Sequence, residues 1–524
     1  MRKKWIVRDA NPFDLKKISG EPEISELTAR ILYQRGIRDA QAMKNFLEPE
    51  AAPFHDPFLM RGMREAVDRI KQAIDAHEKI CVYGDYDVDG MSASAILIRT
   101  LRKFDAWVEN YIPDRSEGYG LNIPALEKIS ANGTDLLISV DCGSTSKAEV
   151  AFAKSLGLDV IITDHHSFED GKTPDTLIVN PKYPGNTYPF RDLSGCGVAF
   201  KIAQAIERIC AQKSDGRFKK ANLNALLDLV AISTVADVVP LTGENRTLVK
   251  YGLGVINRRQ RRGLAALLDV LDIQTEVTGD SIAYILAPNI NALGRMGSAR
   301  LGVELLTGSG KSMAELYDLA IAMNENNKKR KKEQGITAQM CSDAMKQGDC
   351  GEDFLVIEIP GGHEGVAGIV AGNIKEKYYK PVFVLTPNTD GNLKGTGRCI
   401  PDINLHEMMS RHSDLFIRFG GHSGACGFTM LKENLPALRQ AMEDEMKELG
   451  ISPNAYPLPE YFSGDINDDG VLDNRDGTIL LRKLAGWDVE ANPFAIDVDR
   501  DGTVDNKDGT ILLRKLAGWD IDIH

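Results

Sequence analysis

The sequence predicts an α/β protein, and three observations carry that reading. Short apolar runs at 80–82, 136–140, 160–162 and 177–179 alternate with helical periodicity, as at 149–156, between Met63 and about Val239. That alternation is the pattern of a parallel sheet wrapped by helices. A long helical stretch follows from Leu241 to about Met345, and alternation of strand and helix returns over 351–450. After a proline-rich break near Ile451, the last segment repeats one acidic loop–helix unit twice.

Length and composition agree with several soluble domains. At 524 residues the chain exceeds what one core supports, so two to four domains are expected. Hydrophobic content is 43% and charged content 26%, ordinary for a globular protein. No apolar run approaches the ~18 residues of a membrane span. The start, MRKKWIVRDANPF, is basic but lacks an apolar h-region and a small-residue cleavage site, so no secretory signal is expected. The eight cysteines are scattered without a CxxC pair, which suits reduced thiols in a cytoplasmic protein. Net charge is −12, and residues 463–524 carry 14 acidic against 7 basic side chains. Binding to nucleic acid would therefore need a local basic patch.

The first lobe is organised around VYGDYDVDG. The run 80–82 reads as a buried strand and ends in Asp85, Asp87 and Asp89; Gly90 and a helix over 92–101 follow. Hard oxygen ligands of this kind suit Mg²⁺ or Mn²⁺, and the stretch by itself equally fits a solvated turn capping a helix. The same placement recurs. Asp141 follows LLISV, Asp164, His165 and His166 follow VIIT, and Asp237 follows the apolar segment 226–232. A doubly wound sheet gathers its functional residues at the carboxyl ends of its strands. Each residue alone could be a turn or a cap; together they read as a metal centre. One carboxylate in the middle can bridge two ions, the arrangement suited to in-line phosphoryl displacement.

These motifs have a family match. GDYDVDG, SVDCG, TDHH and TVADVVPL resemble the DHH phosphoesterases, and among them the RecJ-type single-strand-specific 5′→3′ exonucleases. YIPDRSEGYGLN, NALGRMGSARLGVELL, GHEGVAGIVAGNIKEKYYKPVFVL, GTGR and FGGHSGACGF extend the resemblance over roughly residues 1–450. It implies two α/β lobes, a DHH domain and a DHH-associated domain, joined by a long helix. By the same resemblance Asp85, Asp87 and Asp141 hold one Mn²⁺ or Mg²⁺. Asp89, Asp141, His165 and Asp237 hold the other, with Asp141 bridging, and His166 faces the scissile phosphate or orients the metal site. Arg115, Thr396 and Arg398 would bind the terminal 5′-phosphate, for which arginine forks are suited. Gly420, Gly421 and His422 would contact substrate, since paired glycines let backbone amides approach a phosphate; a tight turn with a structural histidine fits the same residues. Arg295 and His363 are further candidates. NENNKKRKKEQ (324–334) reads as a solvated helix face or as a run tracking phosphates.

The tail is of another kind. Two units begin at Asp465 and Asp497, 32 residues apart, and from Asp473 and Asp505 onward 15 of 16 positions are identical. Each opens on a calcium-loop pattern: Asp465, Asn467, Asp469, Val471, Asp473 and Asp476, then Asp497, Asp499, Asp501, Thr503, Asp505 and Asp508. Gly470 and Gly502 permit the sharp turn at position 6, and position 12 is Asp where an ordinary EF-hand has Glu. The duplicated loop–helix resembles a dockerin, which implies a small all-α module, two bound Ca²⁺ and a cohesin partner. Asn474-Arg475 and Asn506-Lys507 match the positions that set partner choice there. RecJ-type enzymes usually continue into an OB-fold, and the tail stands in that place.

The expected partition is a lead-in at 1–62, a DHH domain at 63–240, a helical connector at 241–349, a DHH-associated domain at 350–450, a linker at 451–463 and a dockerin at 464–524. The expected activity is metal-dependent 5′→3′ hydrolysis of single-stranded DNA by a monomeric, cytoplasmic enzyme. A phosphodiesterase of nanoRNA or cyclic dinucleotides, or an extracellular cellulosome component acting through the dockerin, are the alternatives.

Overall fold

The computed structural model describes residues 25–49, 54–118, 120–212, 222–348, 350–388, 390–401, 403–450, 474–485 and 506–516, with single positions 466, 489, 491, 496, 498 and 504. The described residues divide into two compact units on either side of the Thr337–Ala338 junction. The division falls inside one 34-residue helix, Met313–Lys346.

The first unit is built on a parallel sheet. Strands β1 (Lys79–Gly84), β2 (Trp107–Tyr111), β3 (Leu136–Val140), β4 (Asp159–Thr163) and β5 (Leu177–Val179) lie in the order β2-β1-β3-β4-β5. Every neighbouring pair is parallel. Helices cover both faces. Ile80 and Val82 enter one core with Ile98 and Val198, whereas Cys81 and Tyr83 enter another with Leu126 and Val150. An interior strand buried on both faces has no polar side to show, which is why these strands read as unbroken apolar runs.

Three local expectations are corrected. β2 was not foreseen, because WVENY lies at the sheet edge, with Trp107 59% exposed and only Val108 buried. The helix after β1 spans Val88–Lys103 and not merely 92–101, because Asp87 caps its first turn by accepting from the amides of Asp89 and Gly90. The apolar segment before Asp237 is a helix, Leu227–Ala236, buried almost throughout. Asp237 is thus the residue after a helix and not after a strand.

The lead-in at 25–62 contains short helices, Glu26–Gln34 and Ala40–Leu47, as expected. It is tied to the first unit where Thr247 Oγ1 donates to the Pro49 carbonyl (3.0 Å) and the His55 amide donates to Glu244 (3.1 Å). Residues 1–24 and 50–53, Pro53 among them, lie outside the described residues. No described helix is long and apolar enough to cross a membrane, and all eight cysteines are free and buried.

The second unit carries strands β6 (Leu355–Glu358), β7 (Val382–Pro387), β8 (Leu393–Arg398), β9 (Arg418–His422) and β10 (Ala425–Met430), ordered β6-β7-β8-β10-β9. Only β6–β7 is parallel. Helix Leu435–Glu448 supplies Leu438 and Met442 to a core built on Phe354, Phe383 and Phe428. In the tail, helices Asn474–Leu484 and Asn506–Leu516 share a small core of Ile466, Leu480, Ile496, Val498 and Leu512.

The first unit also buries an ion pair. Lys201 and Glu244 are essentially inaccessible and in contact, and Glu244 also accepts from the Tyr188 hydroxyl (2.6 Å). Removing one partner of such a pair strands a buried charge, at about 3–5 kcal/mol. Glu244→Gln should therefore lower unfolding stability by about that amount. The double change with Lys201→Met should recover most of it, as read by urea-induced unfolding.

Candidate active site and metal centre

The carboxyl ends of β1, β3 and β4 meet at one point of the first unit. Asp85 follows β1, Asp87 caps the next helix, and Asp89 sits in that helix's first turn. Asp141 follows β3 with φ of 61°, a left-handed backbone that asparagine and aspartate tolerate better than most residues. Asp164, His165 and His166 follow β4, and Asp237 arrives from its helix end.

Three sets of donor atoms form there, each within 4.8 Å of one another: Asp85, Asp87 and Asp141; Asp89, His165 and Asp237; and Asp141, His165 and His166. His165 Nε2 lies 3.1 Å from Asp141 and 3.6 Å from both Asp89 and Asp237. Yet neither ring nitrogen of His165 makes a hydrogen bond, nor do the buried Oδ1 atoms of Asp85 and Asp141. Buried polar atoms are rarely left in this state, and here they converge on shared points.

The electrostatics match the geometry. Burial pushes Asp85 and Asp141 well above the carboxylate range; Asp87 adds to the rise at Asp85, and Asp89, Asp87, Asp85 and Asp237 add to it at Asp141. Burial, then Asp89, raises Asp87, and burial with Asp89 and Asp87 pushes Asp237 up to about 8. Burial lowers His165, which favours the neutral imidazole that a metal ligand requires. A cation among these groups would invert the carboxylate shifts. The donor set of carboxylates with one imidazole fits Mg²⁺ or Mn²⁺.

Around this set lies a shell that the sequence reading had not weighed. Asp89 accepts from the amides of Gly195 and Cys196, both at 2.7 Å, at the start of helix Gly195–Gln212, and from the Ser233 hydroxyl. A Cβ on Gly195 would lie 2.5 Å from Asp141 Oδ1, so only glycine fits beside it. The signal for this was the Ser-Gly-Cys-Gly stretch at 194–197. Asp164 accepts from the Ser144 amide (2.9 Å) and from His166 Nδ1 (2.8 Å). Burial opposes the charge on both partners of that bond. The bond prevails: it holds Asp164 below the usual carboxylate range and lifts His166 to about 9.

The substrate candidates separate into two groups. In the first unit Arg115 donates to the Gly294 carbonyl (3.0 Å) and stacks 4.4 Å over Tyr86, next to Asp85 in sequence. Burial, with Arg115 and Arg330 adding like charge, pushes the adjacent Arg295 down to about 10. Of the basic run, Lys328, Lys329, Lys331 and Lys332 are exposed, while Arg330 turns inward to Asn327 and Gln334. In the second unit, Thr396 and Arg398 alternate with Gly395 and Gly397, which leave room for the rings of Phe428 and Phe383. The register sets Arg398 opposite Ala425 and Ala425 opposite His422, so the three share one face. Gly420, Gly421 and His422 form an exposed edge strand and not a tight turn. A Cβ on Gly421 would lie 2.6 Å from the Cys426 Cα, so its side-chain position is taken by β10. His363 caps helix Glu364–Tyr378, its Nδ1 accepting from the Gly365 amide (3.0 Å).

Of the calcium-loop candidates, Asp476 and Asp508 are described and buried. Each accepts from the amide at loop position 2, Ile466 (2.8 Å) and Val498 (2.7 Å). Asp465, Asn467, Asp469, Val471, Asp473, Asp497, Asp499, Asp501, Thr503 and Asp505 lie outside the described residues.

Comparison with known proteins follows the same division. Residues 79–234 match the DHH family N-terminal domain, 351–448 the DHHA1 domain, and 463–517 the dockerin type I domain. The single-stranded-DNA-specific exonuclease RecJ of Escherichia coli is 32% identical over 486 residues, covering 89% of this chain and 82% of that protein. The chain belongs to the RecJ family. RecJ of Bacillus subtilis is 39% identical over 463 residues, covering 87% of this chain. The crystal structure of Thermus thermophilus RecJ in complex with Mn²⁺ superposes with a TM-score of 0.72 at 30% identity, covering 86% of this chain. The match spans 57% of the Bacillus RecJ and 62% of the Thermus RecJ chain.

A metal role makes a stability prediction. Asp141→Asn removes a carboxyl group whose ionisation burial and its neighbours oppose, and suits the left-handed backbone, so the metal-free variant should melt above the metal-free parent. Mn²⁺ should raise the parent's melting temperature, by a free energy of about 2.7 kcal/mol at a hundredfold excess over Kd, and should leave the variant nearly unmoved. Differential scanning calorimetry with and without Mn²⁺ reads both.

Proposed function

We propose that the chain is a metal-dependent exonuclease that degrades single-stranded DNA from its 5′ end to 5′-mononucleotides. The observation that carries this reading is the convergence of unsatisfied buried donors at the ends of β1, β3 and β4. RecJ relatives named as single-stranded-DNA-specific exonucleases, and one crystallised with Mn²⁺, support the substrate and the metal. Asp85, Asp87 and Asp141 would hold one Mn²⁺ or Mg²⁺; Asp89, Asp141, His165 and Asp237 would hold the second. When bound, such a pair activates water and neutralises charge gathering on the phosphate.

The chain's own residues supply the rest. The amides of Gly195 and Cys196 fix the Asp89 carboxylate. Asp164 accepts from His166 Nδ1 and so favours the imidazolium, which can donate to a phosphate oxygen from beside the metal ligands. Arg115 and Arg295 add positive charge in the same unit, and Thr396, Arg398 and His422 present donors from one face of the second sheet. In this reading the domains run as 63–240 and 350–450, and the enzyme works as a monomer in the cytoplasm, where buried free thiols persist.

The assay uses a 5′-phosphorylated single strand, the same strand with a blocked 5′ end, a duplex and a dinucleotide. The expected result is mononucleotide release from the first substrate alone, and a loss of at least about 10³-fold in kcat for Asp141→Asn. Preferred cleavage of the dinucleotide would replace this reading with the small-substrate one.

For the tail we propose calcium-dependent docking to a cohesin. Its described core holds five buried apolar side chains, too few to fold without a staple. The copies expose Leu481 and Leu513 at equivalent positions, 48% and 43% accessible. Pull-down of the full chain on immobilised cohesins should succeed in Ca²⁺ and fail in EDTA. Asp476→Ala with Asp508→Ala should abolish it without affecting nuclease activity.

A further inference from the structure

A second cleft lies in the first unit, away from the acidic centre. It has a volume of 870 Å³. Val108, Glu109, Asn110 and Tyr111, four consecutive residues of β2, all line it. Successive strand residues point to opposite faces, so a cleft touching all four runs along the strand's edge. Its walls confirm the placement. Ile98 belongs to the core on one face of the sheet and Ile129 to the core on the other, and both line the cleft. The helices covering the two faces thus overhang the edge and leave a trough above it. β2 pairs only with β1 among the described residues, so one row of its backbone groups faces this trough.

The trough is cationic in a chain of net charge −12. Arg102, Lys128, Arg300 and Lys311 line it. Arg300 and Lys311 share a single carboxylate, Glu304, at 3.1 and 3.0 Å. Arg102 and Lys128 make no ion pair among the described residues. The other acid, Glu109, is engaged by Lys79 and Asn132, both at 2.7 Å. Two buried polar atoms of lining residues, Asn110 Oδ1 and Thr134 Oγ1, have no hydrogen-bond partner.

We propose that this cleft docks a short extended acidic segment of a partner protein, which adds to β2 as a sixth strand. Main-chain pairing with an open edge supplies affinity, and pockets for alternate side chains supply selection. The floor asks for peptide N–H and C=O groups, the rim for carboxylates, and Ile98, Ile129 and Val303 for small apolar side chains between them. A phosphodiester backbone satisfies only the rim and cannot continue the alternating N–H and C=O ladder of the open β2 edge, which favours peptide over nucleic acid. Five strand residues set the segment at about 17 Å, some five or six residues.

The test uses the full chain and an array of fluorescent hexapeptides alternating Asp or Glu with Val, Ile or Thr, read by polarisation. A subset should bind. Arg102→Glu with Lys128→Glu should weaken those peptides at least about tenfold and leave nuclease turnover unchanged. N-methylation of alternate backbone amides, which keeps the charge but removes the strand donors, should weaken them as much. The proposal is overturned if no array member binds, or if binding survives either the charge reversal or the N-methylation. It is also overturned if a (dT)15 oligonucleotide displaces the bound peptides and loses its own affinity in the charge-reversed variant, which would make the cleft a nucleic-acid path.

Discussion

The first unit is shaped by a repulsion. Asp85, Asp87, Asp89, Asp141 and Asp237 are brought to one end of a sheet, most of them out of contact with water. Two like charges 4 Å apart cost about 4 kcal/mol at an effective dielectric constant of 20. The fold answers part of this itself. Asp89 receives two amides and a hydroxyl, and Asp87 receives the two amides of the helix it caps. Asp85 Oδ1 and Asp141 Oδ1 are left without a hydrogen bond. A fold that satisfies one acid fully and strands its neighbours keeps a place for positive charge there.

Topology decides where this happens. In the order β2-β1-β3-β4-β5 the chain runs outward from β1 to β2 and then crosses to β3 on the other side. The connections after β1 and β3 diverge to opposite faces, and a crevice opens between them at the strand ends. Asp85 and Asp141 stand on its two sides, directly after β1 and β3, which is why residues 56 positions apart in sequence can share a ligand point. The Gly195 backbone closes the crevice from the third direction, and a side chain at that position would push into Asp141.

The legibility of this site in the sequence follows from the same physics. Interior parallel strands expose no polar face, so β1, β3 and β4 announced themselves as apolar runs and the acids after them stood out; β5, at the other edge, is only the three apolar residues Leu177–Val179. β2 escaped because an edge strand has a wet side, and Trp107, Glu109 and Asn110 break the run. Asp237 was found by its type and misplaced by its neighbours: Leu227–Ala236 is buried almost all round and mostly apolar, as a strand buried on both faces would be, and nothing in its periodicity separates the two. The amides that hold Asp89 were invisible, since a backbone donor has no letter of its own. Asp164 was seen beside the histidines and passed over, although it accepts from His166 Nδ1 and favours its charged form. In the second unit Thr396 and Arg398 of GTGR drew attention as phosphate contacts, whereas the part of the two glycines that alternate with them, making room for aromatic rings, was not legible.

The tail shows how duplication solves a different problem. One loop–helix unit has too little apolar surface to fold alone. Two copies fold against each other: Leu516 and Leu513 lie 3.2 and 3.4 Å from where a Cβ on Gly477 would be, and Leu484 lies 3.2 Å from the same point on Gly509. The glycine of each copy thus accepts the helix end of the other. The shared core uses equivalent positions of both helices, Leu480 and Leu512 among them, and the next residues, Leu481 and Leu513, both stay largely exposed, although Leu513 also edges toward Gly477. Near-identity of the copies is thus a packing requirement inside and a repetition of surface outside.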